Sequence, residues 1–167
     1  MRKSLGLICA LALGLAACGP IPQTPSDMRA LSNPLIEKSS VSVPRSPNSV
    51  AKSLERGAWR CLNKYDTQHI SFNTGYGVSS RAITHMYETD MRKGASGRAE
   101  LMVYKTTQGA ITPGAPGGKH LAYLVDIIPS SGGTKLEIYG GKMGYGDLNN
   151  AIVKWAKGGA LSCPNMP

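Results

Sequence analysis

The chain has 167 residues, a length that accommodates one domain with appendages. Hydrophobic residues make up 41% and charged residues 17%, with a formal net charge of +9, which excludes a disordered acidic chain and a polytopic membrane protein. The 20 glycines and 11 prolines point to many turns or a tether beside a folded part, and they lack the periodicity of collagen or a repeat array.

Met1-Arg2-Lys3 supplies a short positive start, and Leu5 to Leu15 is an apolar run. A membrane-spanning helix needs about 20 apolar residues, so this run is a signal-peptide core rather than a span. Leu15-Ala16-Ala17-Cys18 follows. This ending resembles the lipobox of bacterial lipoproteins. The resemblance implies cleavage before Cys18, diacylglycerol on the Cys18 sulfur and a further acyl chain on the new amino group. The alternative is an ordinary secretion signal with a chance cysteine. Two or more acyl chains anchor stably, whereas one is marginal. Gly19 stands where an Asp retains such lipoproteins in the inner membrane of enteric bacteria, so an outer-membrane, periplasm-facing location is expected. The implied organisation is a signal peptide over 1–17, a lipidated Pro/Ser-rich tether over 18–46, one globular domain over 47–163 and a tail over 164–167. Loss of Arg2 and Lys3 leaves the mature chain at +7.

Cys9 leaves with the signal peptide and Cys18 carries lipid, so Cys61 and Cys163 remain as an even pair in an oxidising compartment. A structural disulfide is the expected reading. It would close a loop of about 100 residues, worth up to roughly 4.7 kcal/mol on the chain-entropy model. The rival is a catalytic or metal-binding thiol pair, but no CxxC is present and two ligands do not complete a zinc site.

In chain order, residues 19–46 carry Pro20, Pro22, Pro25, Pro34 and Pro44 and read as an extended tether, with a short helix around Asp27–Leu31 as an alternative. At about 3.1 Å per residue it would reach roughly 90 Å. Ser46-Pro47 is a helix start, and Val50, Leu54, Ala58, Cys61 and Leu62 mark the apolar face of a helix over 47–64. Its other side carries Lys52, Arg56, Arg60 and Lys64 at steps of four. The plain reading is a solvated face softened by Glu55 and Asp66; the functional one is a stripe that meets lipid, lipopolysaccharide or nucleic-acid phosphates.

From Gln68 to Met143 the period becomes two. Strands are expected at His69–Phe72, Ala82–Tyr87, Ala99–Tyr104, His120–Ile128 and Lys135–Tyr139, with Ser131-Gly132-Gly133 as a hairpin turn. Asp147 then caps a second helix with Leu148, Ala151, Ile152 and Trp155 on one stripe and Gly158-Gly159 at its end. The expected fold is α+β: a two-layer sandwich with an antiparallel sheet of four or five strands and two helices on one face, the Cys61–Cys163 bridge tying the helix ends.

The run Ser46-Pro47 through Trp59-Arg60-Cys61, the strand ends Asp126-Ile127-Ile128-Pro129 and Tyr139-Gly140, and Ala151-Ile152 through Cys163 resemble the build of small proteobacterial helix–sheet–helix lipoproteins. That resemblance is architectural and brings no functional residues with it.

Chemistry is sparse. Pro113 to His120 imitates a phosphate loop but has Pro113 in place of the first glycine and His120 in place of the hydroxyl, so nucleotide binding is rejected. No G-x-S-x-G elbow exists, and Glu88, Asp90, Glu100 and Asp126 show no acid/base spacing. His69 and His85 could approach each other on successive strands, yet they lack the acidic ligand a metal site needs. The expectation is therefore a non-enzymatic protein with no cofactor and no metal. Tyr76 and Tyr145, each between glycines, and Lys119 at the end of the 106–119 loop are candidate contact residues.

The functional expectation is a lipid-anchored periplasmic binding or assembly module. Its partner would be an envelope protein, engaged through the sheet's open face, a sheet edge or the 106–119 loop. The alternative is an electrostatic binder of anionic envelope components through Lys52, Arg56, Arg60 and Lys64. No nucleic-acid partner is expected, and a +7 domain is disfavoured as an inhibitor of a basic lysozyme.

Overall fold

The computed structural model describes residues 21–31, 36–73, 75–109 and 118–166. Helix α1 (Pro25–Ala30) is followed by strand β1 (Ile36–Val43), helix α2 (Pro47–Cys61), strands β2 (Lys64–Asn73), β3 (Val78–Lys93), β4 (Ala99–Gln108), β5 (Gly118–Ser130) and β6 (Gly133–Gly141), and helix α3 (Gly146–Ala156). The strands form one antiparallel sheet in the order β1-β6-β5-β4-β3-β2. The fold remains α+β, but the expected sandwich of four or five strands and two helices is overturned. The protein is a six-stranded, curled half-barrel with three helices, and the helices occupy both faces.

The two additional elements come from the segment expected to be a tether. Ile36–Val43 pairs along its whole length with β6, from Ile36 opposite Gly141 to Val43 opposite Thr134. An edge strand has one neighbour and needs few apolar residues; of these eight only Val43 is buried, so serines and prolines masked the strand. Helix α1 is built by local polar bonds. The Thr24 hydroxyl accepts from the Asp27 N–H at 3.2 Å, the Asp27 carboxylate accepts from the Thr24 N–H at 2.8 Å, and Pro25 starts the helix. Those bonds, with the Thr24 hydroxyl first, hold the Asp27 carboxyl below the usual carboxylate range. Met28 is its one buried residue, too little to register as periodicity.

Ser46 caps α2 by accepting from the Ser49 N–H at 3.4 Å, with Pro47 in the first turn. The helix stops at Cys61, before the expected end, so Lys64 opens β2 rather than closing α2. In α3, Asp147 lies in the first turn and Tyr145 occupies the cap position. Helices α2 and α3 cover one face of the sheet, burying Val50, Leu54, Ile152 and Trp155 against Leu101, Val103, Val125, Ile127 and Leu136. The other face has a smaller core of Met102, Leu121, Leu124 and Tyr139, closed by Met28 of α1. Among the described residues, β3 before Thr84 pairs with β2 alone, so Gln68–Asn73 and Val78–Ile83 form a two-stranded ribbon.

Candidate functional site

The outward side of α2 combines charge, an exposed aromatic ring and a rigid support. With 3.6 residues per turn, Lys52, Arg56, Trp59 and Arg60 fall within an arc of about 100°. All four are exposed, and Trp59 keeps 75% of its surface in solvent. Tryptophan and arginine are the residue types that most often dominate protein interfaces. The opposite side of α2 is clamped. Gly57 lies against the Trp155 ring, and Cys61 is bonded to Cys163 with Cα atoms 5.0 Å apart. The predicted stripe is thus shortened to Lys52, Arg56 and Arg60; Lys64 pairs opposite Tyr87 within the sheet. Sequence reading missed Trp59, although its place seven residues after Lys52 and three after Arg56 puts it on the cationic side of the helix.

At the start of α2, Arg45, Ser49, Lys52, Ser53 and Arg56 line an open depression of about 330 Å³. Arg45 donates to the Ala156 carbonyl at 2.6 Å and to the Ser53 hydroxyl at 3.3 Å, so it also caps the end of α3. Among the described residues the lining holds three cations, two hydroxyls and no carboxylate.

The opposite sheet face, expected to be open, is occupied by the N-terminal segment. The Pro22 carbonyl accepts from the Leu121 N–H at 2.9 Å, at the place where Ala122 bulges out of the β4–β5 register. Glu100, Asp126 and Glu137 form one cross-strand row. Arg29 reaches into it, donating through Nε to Asp126 at 2.8 Å and through a second nitrogen to Glu100 and Asp126. The Asp126 bond above all holds the guanidinium charged. Lys135 and Lys38 bridge Glu137 at 2.7 and 3.0 Å, and their hydrogen bonds hold its carboxyl down at about 2.

The histidines do not converge. His69 pairs opposite Ala82 and His85 opposite Asp66, which puts their side chains on opposite faces. On the helix side, Tyr87, Lys105 and His120 form one cross-strand row, with Asp66, His85 and Thr107 in the next. The Lys105 ammonium lies 5.4 Å from the centre of the Tyr87 ring, and His85 Nδ1 is 3.1 Å from the Thr107 hydroxyl. Burial, followed by the Lys105 charge, pushes His85 down; burial also pushes down His120 and, against the opposing pull of Asp66, Lys105. The imidazoles are thereby biased to the neutral form. Among the described residues no three His, Cys, Asp or Glu side chains gather as a metal site.

Tyr76 tips the β2–β3 turn and is fully exposed. Tyr145 is not a free contact residue: it stacks on Tyr123 at 5.7 Å and packs over Gly141. The expected 106–119 loop is shorter than its sequence suggests, because Thr106 to Gln108 belong to β4 and Gly118 and Lys119 to β5. Lys119 lies over the Tyr104 ring and bridges Glu88. Residues 110–117 and Cys18 lie outside the described residues. Among the described residues no helix is long and apolar enough to cross a membrane.

No protein-family model matches the chain, and no curated protein does. A crystal structure of protein CV1439 from Chromobacterium violaceum is similar at 14% identity and a TM-score of 0.32, over 74% of this chain and 91% of that one. A likeness this loose transfers neither fold nor function.

Proposed function

We propose that the chain is a lipoprotein of the bacterial outer membrane, anchored through Cys18, that binds an envelope protein through the outward face of α2 and performs no chemistry itself. The observation that carries this reading is Trp59, exposed between Arg56 and Arg60 on a helix fixed by its disulfide and its contact with α3. An exposed indole among arginines fits a partner with an apolar recess rimmed by carboxylates. The outer side of β2, which has no strand neighbour among the described residues and carries exposed Tyr65 and Ile70, offers a second contact by strand addition.

A photo-cross-linking residue placed at Trp59 in living cells tests the reading. One discrete envelope protein, captured at Trp59 and not at Lys157, supports it. Capture of nothing, or equal capture at both positions, sinks it. Mass analysis of the Cys18 peptide tests the anchor separately: an unmodified cysteine would remove the lipoprotein assignment. A second reading rests on the depression lined by Arg45, Lys52 and Arg56, which suits an anionic glycan or phosphate group. Binding there would collapse between low salt and 1 M salt, where the screening length falls to about 3 Å.

A further inference from the structure

We infer that residues 22–31 are a clasp that seats the body directly on the membrane, with its outer sheet face toward the lipid headgroups and α2 turned away. The inference rests on the acylation of Cys18 proposed above.

Three contacts hold the clasp. The Pro22 carbonyl accepts the Leu121 N–H at 2.9 Å, Met28 is 2% exposed in the smaller core, and Arg29 is bonded to Glu100 and Asp126. With Pro22 fixed on β5, only Gly19, Pro20 and Ile21 separate the body from Cys18. Four Cα–Cα steps reach at most about 14 Å. An undocked tether running to Ile36, where β1 joins the sheet, would allow roughly 55 Å. The docked segment therefore replaces a long leash with a short one and fixes which face is near the bilayer.

The surface beside the attachment point is a depression of about 540 Å³ whose lining includes Gln23, Glu88, Asp90, Tyr104 and Lys119. Among the described residues its one lysine is offset by two carboxylates. Seating thus comes from the acyl chains and the clasp, and the surface suits zwitterionic phospholipid rather than anionic lipid. Helix α2 lies across the sheet from α1, about two packing layers of some 10 Å each away. Trp59 then faces the periplasm, and the cationic side of α2 is held off the leaflet that carries the anchor.

The test uses full-length acylated protein in phosphatidylcholine vesicles containing a lipid with a nitroxide-labelled headgroup. With Cys18 acylated and Cys61 bonded to Cys163, a fluorophore can be placed on a single thiol in Lys119→Cys or Lys157→Cys. The expected result is several-fold stronger quenching at position 119 than at 157, unchanged by salt. A flexible Gly/Ser linker of about 20 residues, roughly 25 Å in mean span, inserted between Ile21 and Pro22 leaves the clasp docked and should abolish the difference. Equal quenching at both positions in acylated protein overturns the clasp while leaving the anchor intact. Quenching at 119 that survives the linker also overturns it, because the surface would then hold itself to lipid. If mass analysis finds Cys18 unmodified, the anchor and the clasp fall together.

Discussion

Gly57 of α2 lies so close to the indole of Trp155 on α3 that a Cβ there would sit 2.5 Å from two ring carbons. Trp155 is fully buried, so the ring cannot swing out to make room. This close approach sets the separation of the two helices and, two residues on, the direction in which Trp59 projects. Alanine in a helix interior is normally better than glycine by up to about 1 kcal/mol. Overpacking a core typically costs about 1–3 kcal/mol. The second effect wins here, and Gly57→Ala is expected to lose about 1–2 kcal/mol in urea unfolding. A raised midpoint would show that the helices part freely.

The Cys61–Cys163 bridge spans 102 positions and joins the last residue of α2 to the segment beyond α3. Removing a native disulfide typically costs about 2–5 kcal/mol. The double variant Cys61→Ser with Cys163→Ser is expected to fall in that range, and wild type in reductant should match it. If the reduced and oxidised proteins unfold at the same urea concentration, α2 is held by packing alone.

How much of this was legible follows from how each element is stabilised. Helices α2 and α3 and the β5–β6 hairpin bury a periodic face, and Ser46-Pro47 or Ser131-Gly132-Gly133 announced their boundaries. Strand β1 was not legible, because its stabilisation is positional, and helix α1 showed only as the short alternative around Asp27–Leu31, because Met28 is its one buried residue. Ser39 and Ser40 carry no strand signal, yet the strand exists because β6 presents a free edge. Met28 and Arg29 are ordinary residues in a proline-rich stretch until β4, β5 and β6 bring Glu100, Asp126 and Tyr139 together. Lys52, Arg56 and Arg60 were visible at their spacing of four, whereas Trp59 stands outside that spacing and carries no charge to mark it. Parity decided the histidines: a pairing offset put His69 and His85 on opposite faces, and residue type gives no hint of that.

Arg29→Ala leaves Glu100 facing Asp126 across the β4–β5 pair without the cation between them. Hydrogen bonds to charged groups are worth about 1.5–3 kcal/mol, and partial exposure of this site favours the lower end. The local consequence is more diagnostic than the global one. Amide exchange at Leu121, whose N–H donates to Pro22, should accelerate, as should proteolysis within 22–31. Met28→Ala should do the same through lost burial, at a cost of about 2–5 kcal/mol. Unchanged exchange at Leu121 in both variants would mean that the Pro22 contact stands without α1.

Acid should destabilise the protein in two separable stages. Burial lowers His85 and His120 from their ordinary 6.5, so their contribution is complete above that value and declines as pH falls below it. Glu137 is lowered too, but by its partners rather than by burial. Hydrogen bonds from Lys135 and Lys38 hold its carboxyl at about 2 against an ordinary 4.5. The folded state thus keeps Glu137 ionised where the unfolded chain already takes up a proton. Its contribution is complete above pH 4.5 and is lost between there and pH 2. Glu137→Gln is therefore expected to melt below wild type at pH 6 and to converge with it near pH 2, while the decline that starts at 6.5 is common to both. Melting temperatures across this range decide the matter. Parallel curves down to pH 2 would mean that Lys38 and Lys135 gain nothing from the carboxylate they flank, and that Arg29 alone neutralises the acidic row beneath the clasp.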